Sequence, residues 1–305
     1  MGAPLESVED GIISVLNPAT HFFGSQAASR AAWLLIIPML LVYAAAFIVP
    51  LFLILVESVS TGTLREPNYS LHNYLSLITD GVTLPILFRT FWLSVVVTLV
   101  CAALAYPIAL QMRRSANALR MILLAMVVGP LLTSVIVRNV AWLLVLGRNG
   151  IINSTLMKMG LIDDSLPLMY NDFGVIVAVV HVYLAFMVLP VYGAIAKIDS
   201  RVEESASSLG AQPSVVFWRV TFPLSLPGLV AGASLVFILT MGLYLTPTIM
   251  GGSFVVTAPM LVTELARNQY NWPMASALSV LLLLAIGMSL AVIQLMVRNK
   301  DKYNA

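Results

Sequence analysis

The amino-acid sequence predicts an all-α, polytopic membrane protein with six transmembrane helices. Apolar residues make up 60% of its 305 residues and charged residues only 10%, and the mean hydropathy is +0.95. A soluble globular protein is about 45–50% apolar and about 25% charged. So few charged side chains cannot cover the surface of a soluble protein of 33.0 kDa. Long uncharged runs also separate the charges, as expected when the runs lie in lipid.

The apolar runs between charged residues outline the membrane spans. A helix needs about 20 residues to cross the hydrocarbon core of a bilayer. The runs of sufficient length predict helices over 33–56, 90–112, 121–146, 173–196, 226–249 and 275–297. Arg138 is the one charge inside a predicted span, and a polar glycine loop at 251–253 follows the fifth span.

The distribution of Lys and Arg predicts the orientation. With the N-terminus inside, ten Lys and Arg residues fall in cytoplasmic segments and five in outer segments. The positive-inside rule therefore predicts that both termini are cytoplasmic. The resulting organisation is a cytoplasmic N-terminal segment at 1–30, a transmembrane domain at 31–300 and a cytoplasmic tail at 301–305.

One of the outer loops carries a helical pattern of its own. Apolar residues at helical spacing over 151–159, followed by Gly160, predict a short helix with a glycine C-cap. Such a helix either lies along the membrane surface or packs over the bundle, and the sequence does not distinguish these two arrangements.

The longest cytoplasmic connection, 197–228, also contains helix start and stop signals. Asp199 or Ser200 can N-cap a helix, with Glu203 placed to complete a capping box. Gly210 suits the left-handed position that ends a helix. Together these signals predict a short helix ending at about Leu209, followed by a turn.

A second short helix follows in the same connection. Pro213 fits a first helical turn, where its missing N–H costs nothing. Phe217 and Trp218 are expected to form an exposed aromatic face, and Pro223 and Pro227 to mark the turn back into the bilayer. An exposed aromatic face beside charged residues indicates either a protein-docking surface or a solvated structural linker.

The residues of this connection resemble the EAA loop of type I ABC importer permeases. In that family a Glu-Ala-Ala is followed, after three intervening residues, by a Gly and, after nine more residues, by Ile-x-Leu-Pro. The matching residues here are Glu204-Ser205-Ala206, Gly210 and Val220-Thr221-Phe222-Pro223. Ser, Val and Phe replace an Ala, the Ile and the Leu, whereas the Glu, the Gly and the final Pro are present.

The resemblance implies the fold of a type I importer permease and a docking role for this loop. We call residues 197–228 the coupling loop. The residues implied to couple it to an ATPase are Glu203, Glu204, Ser205, Ala206, Gly210, Phe217 and Pro223. A second resemblance covers 138–161, where Arg138-Asn139, Trp142 and the run Leu146 to Asn153 look like the spermidine/putrescine-type branch of the family.

The family resemblance also implies the partners of the chain. An extracytoplasmic solute-binding protein would deliver solute, and two permease subunits, the second a paralogue, would form the pathway. Two cytoplasmic ATPase subunits would hydrolyse ATP, since this chain contains no phosphate-binding P-loop motif. The chain is therefore expected to be a transport subunit of the bacterial inner membrane, embedded in lipid. It is not expected to be an enzyme, to use a cofactor or metal, or to bind nucleic acid.

The candidate pathway residues are less strongly indicated by the sequence. An intramembrane charge is functional by default, but Arg138 is expected towards the outer end of its span, where it could instead snorkel to the interface. The other candidates are single polar or aromatic residues within or beside spans, and each has packing as its alternative role. They are Trp142, His181, Tyr183 and Tyr244.

The substrate suggested by the resemblance conflicts with the charge pattern. A polyamine is a polycation, whose site should contain carboxylates or an aromatic box, yet no Asp or Glu lies deep in a predicted span. Either the binding protein supplies the selectivity, or the solute is an opine, amino acid or phosphonate whose anionic group meets Arg138. The resemblance favours a polyamine.

Two other classes of membrane protein fit the sequence less well. A secondary transporter driven by an ion gradient would require an intramembrane carboxylate or interrupted spans, and it would not explain the coupling loop. An intramembrane enzyme would require a nucleophile–base pair or metal ligands at a suitable spacing, and the sequence contains neither arrangement.

Overall fold

The computed structural model of the protein describes residues 36–61 and 68–303, and these residues are predominantly helical. The predicted segment 1–30 and the last two residues of the tail lie outside the described residues. Up to Val56 the chain forms one unit and from Glu57 onwards another. The first unit contains most of helix α1 (Ile36–Ser58), and the exposed side chains of this helix are almost all apolar.

The second unit is built from helices connected by turns and by a longer loop at 159–171. In chain order they are α2 (His72–Thr79), α3 (Thr83–Arg114), α4 (Asn117–Leu132), α5 (Val135–Leu146), α6 (Ile151–Lys158), α7 (Asp172–Ala196), α8 (Ser200–Ser208), α9 (Pro213–Met241), α10 (Leu245–Met250), α11 (Ala258–Thr263, continued by a π-helical turn at Glu264–Asn268) and α12 (Trp272–Tyr303).

Six helical segments of the described chain are long and apolar enough to cross a membrane, as the sequence predicts. They are α1, α3, α5 together with α6, α7, α9, and residues Trp272–Gln294 of α12. The predicted bounds of the fourth and sixth spans and the predicted end of the first agree with the structure to within a few residues. The predicted start of the first span, at 33–35, lies outside the described residues. The short helix α6 and its glycine terminus at Gly160, where φ is +67°, are also confirmed.

The predicted third span over 121–146 is not one helix. Helix α4 ends in a 3₁₀ turn at Gly129–Leu132, and Thr133 and Ser134 are extended before α5 begins. The carbonyl of Pro130, near the end of α4, accepts a hydrogen bond from the Thr133 hydroxyl at 2.9 Å and another from the Arg138 guanidinium. Side chains therefore satisfy backbone groups at an interruption that would otherwise be costly in lipid.

The predicted fifth span over 226–249 is displaced towards the N-terminus. Helix α9 begins at Pro213, so Pro223 and Pro227 lie inside a helix and do not turn the chain. A π-helical turn at Phe217–Thr221 precedes Pro223, and the backbone N–H of Phe222 bonds to the carbonyl of Phe217. A π-helical turn shifts the hydrogen-bond register of a helix by one residue. It lies here just before Pro223, which has no backbone N–H to donate. Helix α9 ends at Met241.

The second span begins earlier than predicted, so Arg89 lies within helix α3. Its guanidinium forms two hydrogen bonds with the Asp172 carboxylate, of 3.1 and 3.2 Å, and a third of 2.7 Å with the Phe254 carbonyl. The start of α7 and the turn after α10 are thereby tied to α3. The sequence predicts Arg89 at the end of a span, whereas in the structure it forms an interhelical contact.

The core of the second unit is formed mainly by α3, α7 and α9. Small side chains of α3, including Cys101 and Ala105, are fully buried in the same cluster as Met187 and Val188 of α7. Gly228 of α9 lies so close to α7 that a Cβ there would be 2.5 Å from the Pro190 carbonyl oxygen. Small residues allow this close helix packing, which is typical of membrane proteins.

Candidate functional site

The coupling loop begins with helix α8, whose two ends are capped as the sequence predicts. The Asp199 side chain accepts a hydrogen bond from the backbone N–H of Arg201 at 3.0 Å. At the other end, the N–H of Ala211 bonds to the Ala206 carbonyl at 3.2 Å, and that of Gly210 to the Ser207 carbonyl at 3.0 Å. These two bonds form a Schellman motif, and Gly210 has the φ of +84° that it requires.

Glu203 contacts the rest of the chain and does not complete the predicted capping box. One of its carboxylate oxygens accepts hydrogen bonds from Arg113 of α3 at 2.8 Å and from the Thr221 hydroxyl at 2.6 Å. Arg113 also donates to the Ile198 carbonyl at 3.1 Å. We call Glu203, Arg113 and Thr221 the coupling-loop clamp, because it joins α8 to α3 and α9.

The clamp changes the acidity of Glu203. Partial burial raises the pKa of its carboxyl, but the hydrogen bonds from Thr221 and Arg113, together with the positive charges of Arg113 and Arg114, outweigh burial. The net result is a pKa below the ordinary value for Glu. The carboxylate therefore stays ionised and bound to its partners at neutral pH.

Glu204, in contrast, points away from the helices. It lies in an exposed groove on α8, next to Leu209, which is 90% exposed. The other residues of this groove are Arg201, Ser205 and Ser208. The two adjacent glutamates therefore occupy different environments: Glu203 is partly buried and bonded to α3 and α9, whereas Glu204 is exposed.

The expected exposed aromatic face is only half correct. Trp218 is 62% exposed, but Phe217 is half-buried and packs edge-on against Tyr106 of α3, with ring centroids 5.7 Å apart. Phe222 packs against the same Tyr106 ring at 5.6 Å. Phe217 therefore attaches the start of α9 to α3, and Trp218 is the aromatic residue that faces outwards.

Arg138 lies at the helix interruption, opposite the middle of α7. It is expected towards the outer end of its span, but it belongs to the first turns of α5 and shares a cavity with Val182 and Tyr183. Its side chain is buried, one guanidinium N–H donates to the Pro130 carbonyl, and its Nε has no hydrogen-bond partner among the described residues.

The cavity beside Arg138 has a volume of about 190 Å³. The residues that line it are mostly apolar, with a few polar groups facing in, and no Asp or Glu is among them. They are Leu131, Thr133, Val135, Arg138, Val179, Val182, Tyr183, Leu243 and Thr246. The cavity therefore offers a cation and hydroxyl groups but no carboxylate.

The remaining candidate pathway residues lie near this cavity but do not line it. The indole N–H of Trp142 faces Nδ1 of His181 at 3.4 Å, with the rings nearly perpendicular. Tyr244 lies in the link between α9 and α10, next to Leu243, and is 39% exposed. Of the five predicted pathway residues, the structure brings only Arg138 and Tyr183 together in one cavity.

Comparison with known proteins assigns the chain to a family. No family model matches it. The spermidine/putrescine transport system permease protein PotB of Haemophilus influenzae is 32% identical over 211 residues, covering 69% of this chain and 73% of that protein. PotB of Escherichia coli K12 is 31% identical over 224 residues, covering 73% and 81%. This chain belongs to the ABC importer permease family.

Solved structures show that the permease also has the fold of that family. A chain of a bacterial ABC transporter that imports alginate superposes with a TM-score of 0.71 at 15% identity, covering 90% of the permease and 96% of that chain. The MetNI methionine transporter gives a TM-score of 0.52 at 20% identity, covering 71% and 96%. Together with the relationship to PotB, this fold identifies the permease as a multi-pass transport subunit of the inner membrane and not an enzyme.

Several residues around the two sites of the permease are not predicted as site residues by the sequence. Arg113 lies 90 positions from Glu203, and Thr221, although it falls within the EAA-like motif, lies 18 positions away, so the sequence does not indicate either contact. A continuous third span over 121–146 and a fifth span ending at 249 likewise give no reason to select Thr133 or Thr246. The Gly129-Pro130 pair, followed by Thr133 and Ser134, is the signal that could have indicated the interruption.

Proposed function

We propose that this permease forms half of the pathway of an importer for polyamine-like solutes, such as spermidine or putrescine. The observation that carries this proposal is the similarity to PotB, which extends over about 70% of both proteins. The partners would be a second permease subunit, a paralogue of this chain, and two ATPase subunits bound at the coupling loop. A solute-binding protein would deliver the polyamine at the outer face.

The groove on α8 is the proposed docking site for the ATPase. A binding surface needs an exposed apolar anchor surrounded by polar groups, and Leu209 next to Glu204 and Arg201 has this composition. Ser205 and Ala206 supply small side chains on the same helix. The clamp at Glu203 would then pass a movement of α8 to α3 and α9.

Selectivity for a polycation would reside in the binding protein. The cavity beside Arg138 contains no carboxylate that could bind ammonium groups. A pathway without a high-affinity site also allows the solute to dissociate after delivery. The second candidate solute class, one with an anionic group, is favoured by the position of Arg138 in this cavity.

Reconstitution of the complete importer tests the proposal. The permease, its paralogue, the ATPase and the binding protein are placed in vesicles, and uptake of radiolabelled spermidine is measured with ATP and with a non-hydrolysable analogue. We expect uptake only with ATP and binding protein, at equal rates with and without an imposed ion gradient. Uptake of an amino acid or phosphonate, with none of spermidine, would contradict the polyamine assignment. Uptake driven by the gradient alone would contradict the importer class.

A further inference from the structure

We propose that the cavity at the α4–α5 interruption is a binding site for a small anion. The anionic group would be either a carboxylate or phosphonate of a solute or a free inorganic anion such as chloride. The inference deepens the proposed function, because it assigns a ligand chemistry to a cavity in the transmembrane part of this permease.

The first observation is an incompletely satisfied buried cation. Arg138 is 8% exposed, and its guanidinium lines the cavity. One N–H donates to the carbonyl of Pro130, but the Nε atom is buried and has no partner among the described residues. A buried donor of a charged group is costly when it is unpaired. An anion in the cavity would supply the missing acceptor.

The second observation is the start of helix α5 at the same place. The helix has 12 residues, and the N-cap residue Ser134 makes no side-chain bond to its first N–H groups. Val135, its first residue, lines the cavity. The N-terminus of a helix carries a partial positive charge and free N–H donors, both of which favour an anion.

The remaining polar groups of the cavity are neutral. The Thr246 hydroxyl accepts a hydrogen bond from the Asn139 side-chain amide at 3.4 Å, so its own proton can be donated to an anion. The Thr133 hydroxyl also lines the cavity, but it donates to the Pro130 carbonyl. The Tyr183 hydroxyl donates to the Leu239 carbonyl at 3.3 Å. Within the part of the chain that the structure describes, no acidic residue lines the cavity, so no described carboxylate competes with a bound anion there. A volume of about 190 Å³ accommodates chloride or a carboxylate group.

The test measures anion binding to the complete importer in lipid nanodiscs. The melting temperature is recorded at constant ionic strength in chloride, in formate and in lactobionate, a disaccharide acid too large for the cavity. We expect the melting temperature to be about 3 °C higher in chloride and in formate than in lactobionate. Arg138→Gln should abolish this rise. Arg148→Gln, which removes an exposed guanidinium outside the cavity, should retain it.

Two results would overturn the proposal. One is an identical melting temperature of the wild-type importer in all three salts, and the other is an undiminished rise in Arg138→Gln. If Arg138→Gln fails to assemble, Arg138→Lys replaces it. This variant keeps the charge but shortens the side chain, so it should need several-fold more chloride for the same rise, and an unchanged requirement would contradict the proposal.

Uptake measurements distinguish the two sources of the anion. If a free anion occupies the cavity, spermidine uptake should fall several-fold in lactobionate, and Arg138→Gln should show no such salt dependence. If the anionic group belongs to the solute, chloride should compete with uptake of a carboxylated solute. Failure of the polyamine assignment appears separately, as absent spermidine uptake in every salt, and leaves the melting experiment valid.

Discussion

At the scale of single residues, the main finding is the different environment of two adjacent glutamates. Glu203 is part of the clamp, and its ion pair with Arg113 has side chains that are 27% and 19% exposed. Glu204 is exposed in the groove beside Leu209. A partly buried ion pair with additional hydrogen bonds contributes more to stability than a surface pair does. The first residue is therefore expected to hold the loop and the second to contact a partner.

Replacing each glutamate by glutamine should separate these two roles. Glu203→Gln removes the charge that holds Arg113, and we expect it to destabilise the permease by about 2 kcal/mol. Glu204→Gln is the matched control at an exposed site and should change stability by less than about 0.5 kcal/mol, while weakening binding of the ATPase. Thermal unfolding and co-purification of the ATPase measure the two effects.

The pH dependence of the clamp provides a second measurement on the same variants. Because the folded-state pKa of Glu203 is lowered, the clamp stabilises the protein fully above the ordinary pKa of Glu. Its contribution is lost as the pH falls through the lowered value. When the pH is lowered, the stability of Glu203→Gln should therefore decrease less than the stability of the wild type. Equal acid sensitivity of wild type and Glu203→Gln would contradict this role.

At the scale of elements, helix α8 depends on its C-terminal turn. Gly210 adopts a left-handed conformation, and a Cβ placed there would meet no atom within 4 Å. The cost of replacing this glycine is therefore confined to the backbone, since no side chain would be displaced. For a residue other than Gly, Asn or Asp that cost is about 1–2 kcal/mol.

A pair of substitutions at Gly210 tests the role of this turn. We expect Gly210→Leu to fray the end of α8, displace Leu209 and reduce ATP-dependent uptake, with membrane insertion unchanged. Gly210→Asn, which tolerates the left-handed conformation, should remain near wild type. Uptake and stimulated ATPase activity are measured for both variants. Normal values for Gly210→Leu would show that the turn does not position the docking helix.

At the scale of the whole second unit, helix α9 connects the two candidate sites. It runs as one helix, with the π-helical turn at Phe217–Thr221 inside it, from Pro213 in the coupling loop to Met241, two residues before Leu243 at the cavity. Twenty-nine helical residues extend about 43 Å. Because Thr221 of this helix belongs to the clamp, a displacement of α8 would be carried to the cavity end by one rigid element.

The orientation that the Lys and Arg distribution predicts for the permease can be tested directly. The native Cys101 is buried, so single exposed cysteines can be introduced with little background. We expect Leu209→Cys to react with a membrane-impermeant thiol reagent only from the cytoplasmic side, and Leu161→Cys, 63% exposed in the wild type, only from the outside. Intact cells and inverted vesicles are compared. The reverse labelling pattern would contradict the predicted orientation.

The sequence by itself determined the class of the protein, the approximate position of most spans and the helix signals of the coupling loop. These properties depend on local quantities: the cost of placing a charge in lipid, the preference of Gly210 for a left-handed turn and the capping ability of Asp199. Each can be evaluated from a few neighbouring residues. The family resemblance, carried by the same loop, was confirmed by the relatives.

The tertiary structure alone decided which of these residues meet. It paired Glu203 with Arg113, which is 90 positions away, and left Glu204 exposed. It carried α9 through two prolines, and it interrupted the third span at Thr133 to form a cavity at Arg138. The physical reason is that a buried charge or a broken helix is tolerated only where distant groups satisfy its hydrogen bonds, and those groups are brought together only by folding.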